Sequence, residues 1–229
     1  MCGRYTLAKP WREIHALYRL TDKDADRNTA ARYNIAPTQD VPFVHLAKEG
    51  TQVVSEGRWW LVPHWAKELQ SKYPMFNARS EDAEKKPSFR EAYKSKRCLI
   101  PADGWYEWTK GDDGGKDPWF IHLQDGSPFS FAGLWAYNAN AEVTSCTILT
   151  AAAVSPIDQV HNRMPIVLSP EHYDAWLDPA TAVSDAKALL SNNLGASFEF
   201  YRVGREVNSS RTGNAPGLIE PLGSGAEKG

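Results

Sequence analysis

Cysteine is scarce in this chain, and the few present exclude several classes of protein. Cys2, Cys98 and Cys146 are 3 among 229 residues. That number is odd and too small for a disulfide framework, and none stands in a Cys-x-x-Cys metal pair. A reducing compartment is expected, with no metal. No run approaches the roughly 18 apolar residues of a membrane span, and no basic segment leads into an apolar core as a secretion signal would. Excess positive charge is lacking too. The formal net charge is −2, which argues against a protein that coats nucleic acid by bulk neutralisation of phosphates, so any such site must be local. No Pro/Gly/Ser-rich linker, internal repeat or phosphate-cradling glycine loop interrupts the chain, which reads as one domain over residues 1-222 with a disordered tail at 223-229. Tryptophan is plentiful, with 9 residues. Aromatics beside arginines are what a single-strand groove needs, rings for bases and cations for phosphates.

The stretch around which the rest is organised is Met1-Cys2-Gly3-Arg4. The small side chain of Cys2 permits an aminopeptidase to remove Met1 and leave an amine and a thiol on adjacent carbons. Reference pKa values near ~8 and ~8.5 keep both partly available as nucleophiles at neutral pH. Such a 1,2-aminothiol traps aldehydes: the amine condenses to a Schiff base and the thiol closes on that carbon, giving a thiazolidine. With Met1 retained the amine is an amide, and this chemistry is closed.

Along the chain, Arg4 to Leu7 alternates polar and apolar residues and is predicted to be a strand leading the terminus inward. Pro10 opens a short helix with Trp11, Ile14, Leu17 and Tyr18 as its inner stripe. Thr21 to Ala31 reads as an exposed loop and Arg32 to Pro37 as an ordered turn. Asp40 to Ala47 and Thr51 to Val54 form a hairpin. Pro63 ends the aromatic run from Arg58 and leaves His64 and Trp65 on a loop. Asn77 and Arg79 lie two apart, and Ser80 is a candidate cap for a helical turn at Glu81 to Ala83. Pro87 to Lys96 is a second helix. Arg97 to Trp108 reads as strand, turn and strand, with Asp103-Gly104 as the turn. Glu107 is the odd residue there, a carboxylate in an apolar strand. Alternation puts Trp105 and Glu107 on one face and Tyr106 and Trp108 on the other, leaving open which face is inside. Strands at Trp119 to Leu123, Phe129 to Tyr137, Ser145 to Ala151 and Phe198 to Val203 point to an antiparallel sheet or partly closed barrel, with helices from Ser169-Pro170 to Leu177 and at Thr181 to Leu190.

Five separated motifs then stand in order: Arg32-Tyr33-Asn34-Ile35-Ala36-Pro37, Phe76-Asn77-Ala78-Arg79-Ser80-Glu81, Arg97 to Trp108 and His161-Asn162-Arg163-Met164-Pro165, all behind Met1-Cys2-Gly3-Arg4. Together, and through Val207-Asn208 and Leu218-Ile219-Glu220-Pro221, the chain resembles the SRAP family from Cys2 to about Leu222. These SOS response-associated peptidase proteins crosslink to abasic sites in single-stranded DNA. The resemblance implies an α+β fold with a curved, mainly antiparallel sheet or barrel-like core flanked by short helices, and a positive cleft leading to Cys2. It implies that mature Cys2 attacks the open-chain aldehyde at C1′ of an abasic sugar and that Asn77 hydrogen-bonds near the sugar and the Cys2 backbone. Glu107 and His161 fall on the family's glutamate and histidine. Arg4, Asn34, Trp65, Arg79 and Arg163 are the expected DNA contacts. No cofactor is implied; the expected partner is abasic single-stranded DNA, met by a cytoplasmic monomer that joins the nucleoid when on DNA.

The roles also follow from chemistry. An abasic sugar is mostly a closed hemiacetal, and a histidine is suited to moving the proton that opens it. Imine formation loses water, for which Glu107 can accept a proton from the amine and return it to the leaving hydroxyl; run backwards, the same pair would reverse the link in a lyase-like manner. Two departures from the family pattern are Trp60, where glycine is common, and Asn162, where aspartate is frequent. Two other readings are open. One is a thiol (auto)peptidase with Cys2 as N-terminal nucleophile, and the other a non-catalytic single-strand binder.

Overall fold

The computed structural model describes residues 2–20, 29–69, 71–191 and 197–223. Met1, most of the predicted 21 to 31 loop and the predicted tail beyond Gly223 lie outside the described residues. The elements are β1 (Tyr5–Leu7), α1 (Trp11–His15), β2 (Arg32–Ile35), β3 (Asp40–Leu46), β4 (Gln52–Trp59), β5 (Asn77–Arg79), α2 (Arg90–Ser95), β6 (Arg97–Ala102), β7 (Gly104–Lys110) and β8 (Lys116–Leu123). They continue with β9 (Phe129–Asn138), β10 (Val143–Ala152), β11 (Arg163–Pro165), β12 (Val167–Leu168), α3 (Tyr173–Leu177), α4 (Val183–Leu189) and β13 (Phe198–Arg202).

Two sheets carry the fold. The first runs β13-β8-β7-β1-β2 and is antiparallel throughout. The second runs β11-β10-β4-β3-β6-β9-β12, with β5 added beside β10 and β9 pairing back onto β10. That path curls until it meets itself. It is not an evenly closed barrel, because β3 and β6 meet only at Val44↔Leu99 and β4 joins β10 through two parallel pairs, Ser145↔Arg58 and Cys146↔Trp59. The expected α+β architecture with a curved, mainly antiparallel sheet and few short helices is what the structure has. Aromatic edges lock the sheets together: Tyr5 meets Trp59 at 5.1 Å and Phe131 at 5.7 Å, and Trp105 meets Phe131 at 6.2 Å, all edge to face. Quadrupoles favour that arrangement over face-to-face stacking.

The link between β6 and β7 differs from the predicted turn. Those strands do not pair: β6 belongs to the second sheet and β7 to the first, so Asp103-Gly104 is a corner where the chain changes sheets. Asp103 pins this corner by accepting from Lys9 N at 2.7 Å and from Ala8 N and Thr6 Oγ1. A Cβ at Gly104 would lie 2.2 Å from the Phe120 ring, so only glycine fits there. The corner therefore fixes β1, the strand that follows Cys2.

Three local expectations are corrected. Arg32 to Ile35 is the edge strand β2 rather than a turn, because it pairs with β1. Glu81 to Ala83 stays a turn, since Pro87 bars helical backbone at its predecessor so soon after the Ser80 start. The first helix ends at His15 because Leu17 N and Tyr18 N bond three residues back, at 3.1 Å each, and tighten the last turn. Both faces of β7 are covered. Trp105 and Glu107 point toward the main core, while Tyr106, with Trp108, packs on Val203, Val207 and Leu218.

Candidate active site at the amino terminus

Cys2 is fully buried. Strand β1 brings it there, and Tyr106 N donates to Arg4 O at 3.0 Å, holding the chain end along β7. From the other sheet, Asn77 Nδ2 donates to Cys2 O at 2.7 Å. Asn77 stands on β5, whose parallel register with β10 sets Asn77 beside Ile148 and Arg79 beside Thr150. Within that strand Ala78 is buried, Asn77 half-buried and Arg79 exposed. The second polar atom of Asn77, Oδ1, is buried without a hydrogen-bond partner among the described residues.

Glu107 is 2 % exposed. Burial pushes its carboxyl from the usual range up to about 7, against the pull of the positive chain terminus. Burial likewise raises the Cys2 thiol well above its ordinary value; the charge of Glu107 adds to this, and the chain terminus and a 3.9 Å contact with Arg4 O oppose it. His161 shifts downward, chiefly through burial and then through the positive terminus. The charge of Glu107 bears directly on the Cys2 thiol, so these two groups share one neighbourhood. Glu107 and His161 also line one cleft of about 400 Å³. Arg163 N donates to His161 Nδ1 at 2.9 Å. The same Nδ1 lies 3.0 Å from Arg163 O, so the Arg163 backbone holds the ring through that nitrogen.

The residues expected on DNA divide into two sets. Arg4, Asn34 and Arg163 are engaged within the protein. Arg4 Nη1 donates to Asn34 Oδ1 at 2.9 Å and to Val207 O at 2.8 Å, and Asn34 Nδ2 donates to Ser209 O at 3.0 Å. Arg163 forms a forked ion pair with Glu81 and donates to Thr150 O at 2.7 Å, leaving its side chain 15 % exposed. That pair holds the Glu81 carboxyl below its ordinary range. Arg79 and Trp65 are open. Arg79 has no ion-pair partner among the described residues, and Trp65 is 54 % exposed. An apolar cleft of about 520 Å³ carries Asn77 and Arg79 and shares Met75 and Ser88 with the cleft of about 270 Å³ beside Trp65. The two clefts therefore adjoin, from Asn77 and Arg79 to Trp65.

Trp60 packs on Phe76 at 5.8 Å and so backs the strand that carries Asn77. Asn162 is exposed, and its carbonyl accepts from Ala153 N at 3.1 Å. Cys98 and Cys146 are buried free thiols pushed upward by desolvation. Among the described residues no group of His, Cys, Asp or Glu is placed to hold a metal ion, and no helix is long and apolar enough to cross a membrane. Reading the sequence missed the anchoring of the terminus by Asp103 and by the turn at Arg205–Asn208. Val207-Asn208 stood out as part of a motif, yet nothing local ties it to a strand some 200 residues away.

Comparison with known proteins places this geometry. The family described as "SOS response associated peptidase (SRAP)" matches residues 1–210. Abasic site processing protein YoqW of Bacillus subtilis is 36 % identical over 225 residues, covering 96 % of this chain and 99 % of the relative. Abasic site processing protein YedK of Escherichia coli is 29 % identical, covering 97 % and 100 %. Among solved structures, a phage-related protein of Bordetella bronchiseptica superposes with a TM-score of 0.75 at 30 % identity, over 93 % of this chain and all of its own. A protein of Bacteroides thetaiotaomicron shares the fold with a TM-score of 0.79 at 22 % identity, covering 96 % and 99 %.

Proposed function

The chain belongs to the SOS response-associated peptidase family, and from that premise we propose that it acts in the DNA-damage response by capturing abasic sites in single-stranded DNA through Cys2. Relatives along its whole length are abasic site processing proteins. The observation that carries the reading is the meeting of two sheets at the terminus: Asn77 holds the Cys2 carbonyl from one, and Glu107, in the same cleft as His161, bears on the thiol from the other.

The chemistry then runs as follows. Removal of Met1 frees the amine. His161 relays a proton between the ring oxygen and the C1′ hydroxyl of the sugar and opens it to the aldehyde. The amine adds to C1′, Glu107 takes a proton from nitrogen and returns it to the hydroxyl, and water leaves to give the imine. The sulfur adds to C1′ while its proton passes to nitrogen, closing the thiazolidine with one water released overall. Glu107 suits this shuttling because a carboxyl with a pKa of about 7 both gives and takes protons near neutral pH. Asn77 holds the backbone of the nucleophile, and Arg79 and Trp65 offer a cation and a ring to the strand along the adjoining clefts. An unpaired strand bends to present its sugar, and a lesion without a base needs no base readout.

Acyl transfer by Cys2, the peptidase reading, fits less well. Burial keeps the thiol protonated, whereas cysteine nucleophiles of peptidases have depressed pKa values. Denaturing electrophoresis after incubation with an abasic single-stranded oligonucleotide tests the proposal, with casein hydrolysis as a parallel arm. Wild type should give a covalent band. Cys2→Ala and a form with a residue retained before Cys2 should give none. Casein cleavage without a DNA band would overturn the proposal.

A further inference from the structure

Lys110 and Lys116 face each other in the ladder of β7 and β8. Both are exposed, and neither ammonium has an ion-pair or hydrogen-bond partner among the described residues. Like charges directly opposite in an antiparallel pair are destabilising. The fold gains nothing from this pair, and the chain has no general excess of positive charge, its net charge being −2. Both lysines line the cleft of about 400 Å³ that also holds Glu107 and His161. By strand alternation their stems leave on the face of Tyr106 and Trp108, so their flexible ends reach the rim at the open tip of the hairpin. The space where a Gly114 side chain would stand is empty, leaving that rim unobstructed.

The hairpin is held in place. Asn208 Nδ2 donates to Lys116 O at 2.9 Å, and Trp108 Nε1 donates to Asn208 Oδ1 at 2.6 Å, so one side chain clamps both strands. The preceding residue, Val207, accepts at its carbonyl from Arg4, which links the clamp to the strand that carries Cys2. Arg205 neutralises the hairpin carboxylates Asp113 and Asp117, and Arg202 also reaches Asp117. The remaining carboxylate of the hairpin loop, Asp112, does not line the cleft. What the cleft meets is therefore two cations on a braced support, beside the groups that would work on the sugar.

We propose that Lys110 and Lys116 bind a backbone phosphate of the DNA strand on one flank of the lesion, with Asn208 as the residue that positions them. This rests on the abasic-site reading above. The flank is not the one served by Arg79, since the cleft of Arg79 and that of the lysines share no lining residue.

The test compares wild type with Lys110→Gln/Lys116→Gln on two abasic oligonucleotides, one extending only 5′ and the other only 3′ of the lesion. Covalent capture is followed from low to tenfold higher salt, and the abasic nucleoside without phosphates serves as a third substrate. In single strands each phosphate contact contributes a slope of about 0.7 in log affinity against log salt, or roughly fivefold across that range. The variant should lose about fivefold in capture rate at low salt, and its salt slope should flatten by about 0.7, on one of the two oligonucleotides only. Capture of the abasic nucleoside and thermal stability should not fall. Equal loss on both oligonucleotides, or no change in salt slope on either, overturns the proposal. Anisotropy titration of an intact single strand reads the lysine contact without chemistry. If wild type binds but never crosslinks, the abasic-site reading fails while the lysine contact is still decided by that slope.

Discussion

Replacing Glu107 by glutamine should make the protein more stable and less active. The buried carboxyl has its pKa raised from 4.5 to about 7. At ~1.36 kcal/mol per pH unit, this corresponds to roughly 3 kcal/mol by which the folded state disfavours the ionised form. The sign follows from proton counts. Below about pH 4.5 the group is protonated whether the chain is folded or not, and it costs nothing. Between 4.5 and 7 the folded state binds more protons than the unfolded, so stability falls as pH rises; above 7 the full cost applies. Glutamine keeps the shape and removes the charge. Thermal melts of Glu107→Gln and wild type should coincide near pH 4.5 and separate at pH 8, with the variant higher by several degrees at about 2–4 °C per kcal/mol for a chain of this size. Crosslinking at pH 7 should meanwhile drop by about 10²–10⁴-fold, the usual contribution of a positioned acid or base. A variant less stable than wild type at pH 8, or a gap in melting temperature that is the same at both pH values, would refute the argument from burial.

Cys2→Ala keeps a free amine, so it should yield no stable adduct but a faint band when borohydride reduces the imine during incubation. Asn77→Ala removes the 2.7 Å bond to Cys2 O; single-turnover crosslinking should slow by about tenfold, the equivalent of one hydrogen bond of ~1.4 kcal/mol, with affinity for intact single strands unchanged. Trp65→Ala should weaken binding of intact single strands while leaving capture of a free abasic sugar as it was, since base stacking contributes about 1–3 kcal/mol. Gly104→Ala forces a methyl against the Phe120 ring and should lower stability by about 1–3 kcal/mol in urea unfolding, with unchanged unfolding slope.

The strands were legible where short apolar runs end at turn residues, as in β3, β7, β9 and β10, because a strand covered on both faces reads as such a run between breakers. Pairing was not legible. Asp103-Gly104 has the composition of a hairpin turn, yet the strands on either side of it enter different sheets. Arg32 to Ile35 lacks the apolar run of a strand because it is an edge with half-buried residues, and only its partner β1 makes it one. In the site, Glu107 stood out as a carboxylate in an apolar strand and Asn77 and His161 through their motifs, and the structure brings Glu107 and His161 into one cleft and Asn77 onto Cys2. The partners that Arg4, Asn34 and Arg163 hold within the protein were not legible, since an arginine in a motif reads the same whatever it meets across the fold. Lys110 and Lys116 gave no signal beyond exposure; it took the register of the hairpin to set them face to face.

The nucleophile itself is chemically ordinary, and its thiol is made less acidic by burial. Reactivity has to come from position. Chain termini fray unless tied down, and this one is tied by Asn77 to Cys2, by Tyr106, Asn34 and Val207 to Arg4, and by Asp103 to Thr6, Ala8 and Lys9. Every one of those partners is distant in sequence, so the terminus is ordered only when both sheets have formed. An amine and a thiol already fixed beside a proton acceptor lose little further entropy on meeting the aldehyde, and such prior ordering can supply about 7–11 kcal/mol of a bimolecular barrier. Loosening the clasp through Asn34→Ala should thus slow capture of the phosphate-free sugar as much as that of DNA. An effect confined to DNA would instead make Arg4 and Asn34 strand contacts.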